Sequence, residues 1–239
     1  INPENIDEAM GKGAFSGLKR ALSMTQQEVL DEIYKFYDKL DFPKHEVKVI
    51  KQVEELDINK ISSYLLEDLP NYVKHDVVKL NQNKVPSIGN IICSATSSTM
   101  LLKYKGMDFS EFDSEYEHRY IAELVKDYGN NIYGNWVYNT VAMSAYGYDS
   151  YVARFYSINE LVHHLATVGP CALSVKGQMT SDIKNYYTAG HLIVAIGYEI
   201  HPNGEITIVC NDPNVKGSMS RYSLTVMNNT WRNVVYVIE

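Results

Sequence analysis

The stretch Cys93-Ser94-Ala95-Thr96-Ser97-Ser98-Thr99-Met100-Leu101-Leu102-Lys103-Tyr104-Lys105-Gly106 decides how this chain is read. It opens with small residues, turns apolar in the middle, and closes on lysines and a glycine. That pattern predicts a helix of about three turns with Gly106 as its left-handed stop. The preceding segment, residues 82–92, has Pro86 and Gly89 and reads as a loop. Cys93 therefore stands where a loop meets a helix N-terminus, where free backbone amides and the helix dipole favour a thiolate. A buried, inert cysteine is the commoner fate of an isolated cysteine. The small residues after Cys93 argue the other way, since they let the backbone pack closely while the sulfur stays reachable.

Outward from this helix the texture differs on the two sides. Upstream, residues 1–75 read as mostly helical. Thr25-Gln26-Gln27-Glu28 has the form of a capping box, followed by Val29, Leu30, Ile33, Phe36, Tyr37 and Leu40 at helical spacing up to Pro43. Val47 to Val53 fits a short strand, and Ile58, Ile61, Tyr64, Leu65 and Leu69 form a second stripe that ends at Pro70. Downstream, helices are expected over 110–128, 139–146 and 158–168, the last opened by the capping box Ser157-Ile158-Asn159-Glu160. After Gly169-Pro170 the pattern becomes β: strands at 171–176, 192–200, 206–211 and 234–238, with a hairpin signal at His201-Pro202-Asn203-Gly204-Glu205. Helices first and an antiparallel sheet afterwards make an α+β fold. The organisation expected is an N-terminal helical extension, 1–75, packing on a domain formed by 76–239.

Composition removes several function classes. The 239 residues are 45% hydrophobic and 21% charged, the values of an ordinary globular chain rather than a disordered one. The net charge is −7, and no run of Lys and Arg exceeds two, so a nucleic-acid partner is not expected. The longest aliphatic run, Leu192–Ile196, is far short of the roughly 20 residues of a membrane-spanning helix. The three cysteines, Cys93, Cys171 and Cys210, cannot all pair, and Cys171 and Cys210 sit in apolar strand runs as buried thiols. No metal spacing occurs, His163-His164 being adjacent and about 100° apart on a helix. No cofactor is expected, and a monomer is. Gly11-Lys12-Gly13-Ala14-Phe15-Ser16-Gly17 lacks dinucleotide-binding spacing. Because the chain opens on Ile1 rather than Met, an upstream signal or lipid-anchor segment is expected to have been removed, with the protein exported.

Two more residues complete a chemical pattern. Gly190-His191 stands at the mouth of the apolar strand, and Asn211-Asp212-Pro213 ends the strand that returns beside it. The register decides whether they meet. A two-residue Asn203-Gly204 turn would face Ala195 with Asp212; facing His191 with Asp212 needs a turn centred near His201-Pro202, or a bulge. A cysteine nucleophile needs a base, and the base needs an acceptor that fixes its tautomer. Cys93, His191 and Asp212 supply those roles.

The helix sequence resembles the nucleophile helix of the bacteriocin-processing, double-glycine leader peptidase-like family of papain-like cysteine peptidases. It is most similar to a secreted bacterial branch whose motif reads Cys-Ser-Pro-Thr-Ser, with Ala95 here in place of the proline. Gly134-Asn135-Trp136, Gly190-His191 with the strand after it, Val209-Cys210-Asn211-Asp212-Pro213, and the segments Arg221-Tyr222 to Trp231 and Val235–Ile238 are similar too. The resemblance covers roughly residues 78–239. It implies a papain-like fold, with Cys93 as nucleophile, His191 as general base and acid, and Asp212 as the residue that orients the imidazole. It also implies a glutamine in the oxyanion hole. Six residues before the cysteine stands Ser87, too short for that task; Gln82, eleven before, is the expected donor and Asn90 the fallback. The substrate implied is a peptide or another amide. A cell-wall amidase, an acyltransferase using the same three residues, and a catalytically silent binding domain are the alternatives.

Overall fold

The computed structural model describes residues 66–112 and 116–239, together with Glu28. The capping box at Thr25, the stripe that follows it, the strand near Val49, the glycines at 11–17 and the stripe at 58–65 lie outside the described residues. So does the packing expected of the extension. From residue 66 onward the chain belongs to one compact unit, Glu55–Glu239.

Its elements are β1 (Tyr72–Lys74), two 3-10 turns (Gln82–Lys84 and Gly89–Ile91), α1 (Cys93–Tyr104), α2 (Glu117–Leu124), α3 (Trp136–Ala145), β2 (Ser150–Arg154), α4 (Ile158–Thr167), β3 (Cys171–Thr180), β4 (Asn185–Ile200), β5 (Ile206–Asn211), β6 (Ser220–Ser223), α5 (Leu224–Thr230) and β7 (Trp231–Ile238). The strands form one antiparallel sheet in the order β2-β7-β3-β4-β5-β6, and β1 also pairs with β4. The result is the expected α+β architecture.

β4 is the spine of this sheet. Along one edge it pairs with β3 as far as Ala195, and with β1 from Gly197 to Glu199. Its side chains alternate between two cores. Leu192, Val194 and Ile196 meet α1, α2 and α3 through Met100, Leu101, Leu102, Ile121 and Met143. Ile193 and Ala195 meet α4 on the other face through Leu161, Val162 and Leu165. A strand covered on both faces reads as the unbroken apolar run seen at 192–196.

α1 is buried from Ser94 to Leu102. Such a helix must satisfy its own hydroxyls, and each does so. Thr96 Oγ1 donates to the Ile92 carbonyl at 2.9 Å and Thr99 Oγ1 to that of Ala95 at 2.8 Å. Ser97 Oγ donates to the Leu192 carbonyl at 3.2 Å, Ser98 Oγ to Asn139 Oδ1 at 3.2 Å, and Ser94 Oγ lies 2.9 Å from the Tyr236 hydroxyl. At its end the Gly106 amide donates to the Lys103 carbonyl and the Met107 amide to that of Leu102, both at 3.0 Å, with Gly106 at φ 92°. That is a Schellman stop.

Three expectations change. Tyr72–Lys74, placed from the sequence in the mostly helical stretch, is a strand of the sheet. β1 reaches β4 over Gly197, where a Cβ would lie only 1.9 Å from the Val73 carbonyl oxygen. The helix expected to run to Tyr128 stops at Leu124. Its continuation is replaced by a loop gathered around Asp127, whose carboxylate accepts from the Asn130 amide at 3.0 Å and from the Asn130 and Asn135 side-chain amides at 2.9 Å each. α3 starts three residues earlier than expected, at Trp136, because the Asn135 side chain caps it by accepting from the Tyr138 amide at 3.3 Å.

Candidate active site

Cys93 is the first residue of α1, half-buried, and no side chain caps the helix there. The amides of Ser94 and Leu192 donate toward its sulfur, and the His191 ring makes a hydrogen bond to it. Burial alone would raise the thiol. The neighbouring imidazolium charge, that hydrogen bond and the two amides together outweigh burial and hold the thiol below its ordinary value. Cys171 and Cys210 are buried, unpaired thiols in β3 and β5, and burial pushes both upward.

His191 is 5% exposed. Its Nε2 lies 2.8 Å from Asp212 Oδ1, which leaves Nδ1 for the sulfur. Burial works against the imidazolium, but the Cys93 thiolate and Asp212 outweigh it and raise the ring to about 10. Asp212 is fully buried. Its Oδ1 also accepts from the Asn214 amide at 2.8 Å, and its Oδ2 accepts from the hydroxyls of Tyr186 and Tyr222 at 2.6 Å each. Burial disfavours the charge, yet the imidazolium and the two phenols keep this carboxyl below the usual carboxylate range. Burying a carboxylate without such partners would be prohibitive. Asn211 points the other way, its Nδ2 donating to the Val77 carbonyl at 2.8 Å.

The hairpin turn is centred at neither of the two places considered from the sequence, but the bulge considered there is present. Ile200 faces Ile206, so the turn is centred on Asn203, and Ile196 is an extra residue between the pairs Ala195–Cys210 and Gly197–Val209. The ladder ends at Val194 facing Asn211, and Asp212 leaves the strand one step further on. Its position is thus diagonal to His191 rather than opposite, close enough for side chains of this length. Alternation puts Asp212 on the face shared with Cys210, and Asn211 on the other.

Gln82 opens the first 3-10 turn. Its amide donates to the Pro213 carbonyl at 3.0 Å, tying the turn to the residue after Asp212. The side chain is 4% exposed, and its Oε1 is buried without a hydrogen-bond partner. Gly89 packs directly on this turn: a Cβ there would come within 2.5 Å of the Gln82 carbonyl oxygen. Asn90 is exposed, and Ser87 occupies a left-handed turn at φ 70°. Gln82, Asn90, Cys93 and His191 line one cleft of about 510 Å³, together with Trp136 and Tyr187.

Several contributors were not singled out from the sequence. Tyr186 and Tyr222, which hold Asp212, are two of 19 tyrosines with no distinguishing local pattern. Lys79 donates to the Asp212 carbonyl at 2.5 Å, and burial lowers its pKa to about 8. Only the folded chain brings these groups to the site.

A cysteine at the head of a buried helix, looking across a cleft at a histidine on an antiparallel sheet, is the arrangement of papain-like cysteine-type peptidases, a class of hydrolases. The sequence profile of the Peptidase_C39 like family matches residues 74–238, and the chain belongs to this family. Solved structures of similar fold include a double glycine motif protease from an AMS/PCAT transporter in complex with its leader peptide (15% identity, TM-score 0.47, covering 70% of this chain and 93% of that one). A C39-like peptidase from Bacillus anthracis is similar at 16% identity and TM-score 0.48, covering 70% of this chain and 97% of its own. Xylellain, a cysteine protease from Xylella fastidiosa, is similar at 13% identity and TM-score 0.42, over 73% of this chain and 87% of its own. No curated protein matched the sequence. Among the described residues no helix is long and apolar enough to cross a membrane.

Proposed function

We propose that this chain hydrolyses peptide bonds by nucleophilic catalysis at Cys93. One observation carries the reading: the His191 ring is held by Asp212 through Nε2 at 2.8 Å, so that Nδ1 is committed to the thiol. As an imidazolium, His191 donates from both nitrogens, one to the carboxylate and one to the thiolate.

The Cys93 thiolate attacks the acyl carbon, and the carbonyl π electrons move to oxygen. The Cys93 backbone amide, free at the start of α1, and the Gln82 side-chain amide donate to that oxyanion. Gln82 lines the same cleft as Cys93, which supports this role. As the intermediate collapses, the C–N bond breaks and His191 protonates the departing amine. The neutral imidazole then takes a proton from water, the resulting hydroxide attacks the thioester, and Cys93 leaves as a thiolate.

The test is hydrolysis of a randomised peptide mixture by the native chain and by Cys93→Ala, read by mass spectrometry. The reading predicts new termini with the native chain alone. Equal products from both, or none from either, would sink it.

A further inference from the structure

The active-site cleft carries a charge that the hydrolytic step does not use. Arg232 lines it, and no Asp or Glu does. The guanidinium is exposed, and among the described residues it has no ion-pair partner. A bare arginine in an acid-free cleft is an anion receptor, and its planar fork matches a carboxylate in two parallel hydrogen bonds.

The sheet shows on which side of the scissile bond this receptor lies. His191 faces Val175 of β3, and Val175 faces Trp231 of β7. Arg232 follows Trp231, so it extends the histidine wall of the cleft, not the helix wall that carries Cys93. The departing amine must lie at the histidine that protonates it, so this wall serves the C-terminal part of a bound peptide. Two strand spacings separate the backbone of His191 from that of Trp231, about 10 Å, or roughly three extended residues of substrate. The flexible arginine shortens that span by its own reach, placing its fork two to three residues beyond the scissile bond.

The arginine is also held at its base. Asn233, next in sequence, is left-handed at φ 61°. Its Nδ2 donates to the Phe155 carbonyl at 2.8 Å, and its carbonyl accepts from the Phe155 amide at 2.9 Å. Beside this clamp Trp231 is directed into the core and Arg232 outward into the cleft.

We infer that Arg232 is the specificity residue for the leaving side, selecting substrates with a carboxylate two or three residues C-terminal to the scissile bond. The carboxylate is either an acidic side chain or a free C-terminus. The inference rests on the reading of Cys93 as nucleophile and His191 as acid.

The experiment compares native chain, Arg232→Gln and Arg232→Glu on peptides that differ only in Glu against Gln at each leaving-side position, and in a free against an amidated C-terminus. The expected result is that Arg232→Gln loses about 10- to 100-fold in kcat/KM on the acidic peptides and little on the neutral ones. Arg232→Glu should turn the preference toward Lys at the same position. Loss confined to the free-terminus series assigns the carboxylate to the chain end; loss confined to the Glu series assigns it to a side chain. Equal losses on acidic and neutral peptides overturn the inference while leaving hydrolysis intact. Should the native chain cleave nothing, the proposed function fails, and Arg232 is read instead from Cys93 alkylation. The rate ratio of iodoacetate to iodoacetamide should drop about three- to fivefold in Arg232→Gln at low salt. An unchanged ratio overturns the inference.

Discussion

The charge state of Cys93 depends on groups that reach it from the sheet. The thiol is held below its ordinary 9.0, and His191 is raised to about 10, so the thiolate–imidazolium pair persists between those two limits. Below the lower limit the thiol regains its proton, and above about 10 the ring loses the proton the leaving amine needs. Hydrolysis should therefore fall on the basic side near pH 10, as a kcat/KM profile would show. Cys93 should alkylate at a pH below its ordinary 9.0, with Cys171 and Cys210 silent until the chain unfolds, because burial pushes both of those thiols up. Mass spectrometry of labelled protein checks the order, and earlier labelling of either strand cysteine contradicts it. Asp212→Asn removes the charge that stabilises the imidazolium. The window should then narrow from both ends, the upper limit moving down and the thiol moving up. Asn211→Ala should leave that window in place. It strands the buried Val77 carbonyl and should cost about 1–3 kcal/mol of stability in a urea titration.

Among the elements, two glycines set what can approach. Gly89 lets the second 3-10 turn lie against the turn that carries Gln82, with no room for a Cβ beside the Gln82 carbonyl. Gly89→Ala should shift that turn. The same loss is expected as for Gln82→Ala, about 10²–10³-fold in kcat, with Cys93 alkylation unaffected. A Gly89→Ala enzyme of native kcat would show that the position of this turn does not matter. Gly197 is the other case. A Cβ there would overlap the Val73 carbonyl, which is backbone and cannot rotate away. Gly197→Ala should release β1 from β4, seen as loss of amide-exchange protection at Val73 and at Tyr198, with the β3–β4 pairing kept.

Taken whole, the molecule builds its site from distant parts of the chain. α1 supplies Cys93, β4 supplies His191, and the turn after β5 supplies Asp212, while β4 also joins the two cores. Neither core can loosen without disturbing the strand that carries the histidine. In a urea titration, the enhanced reactivity of Cys93 should therefore vanish in the same transition that exposes Cys171 and Cys210. Labelling that shows Cys93 reverting to an ordinary thiol well before the other two react would mean that the cleft opens separately.

Much of this was legible locally. The α+β order, the helix from Cys93 to its Gly106 stop and the β5 strand Ile206–Asn211 follow from short-range signals: small residues, a left-handed glycine and apolar runs. Cys93, His191 and Asp212 were nameable as candidates from the turns and helix start around them, whereas Gln82 was named only through the family resemblance. Other features leave no local mark. The Asp127 loop overrode a helix pattern, because a carboxylate collecting three amide donors competes with one more helical turn. The position of Asp212 relative to His191 depended on the extra residue Ile196, which the alternation of an all-apolar strand cannot reveal. The roles of Tyr186, Tyr222 and Arg232 were decided by strands that meet only in the folded sheet. Sequence determined which groups are chemically able to act; tertiary structure decided which of them face one another, because direction and distance between remote segments are set by packing and not by the residues themselves.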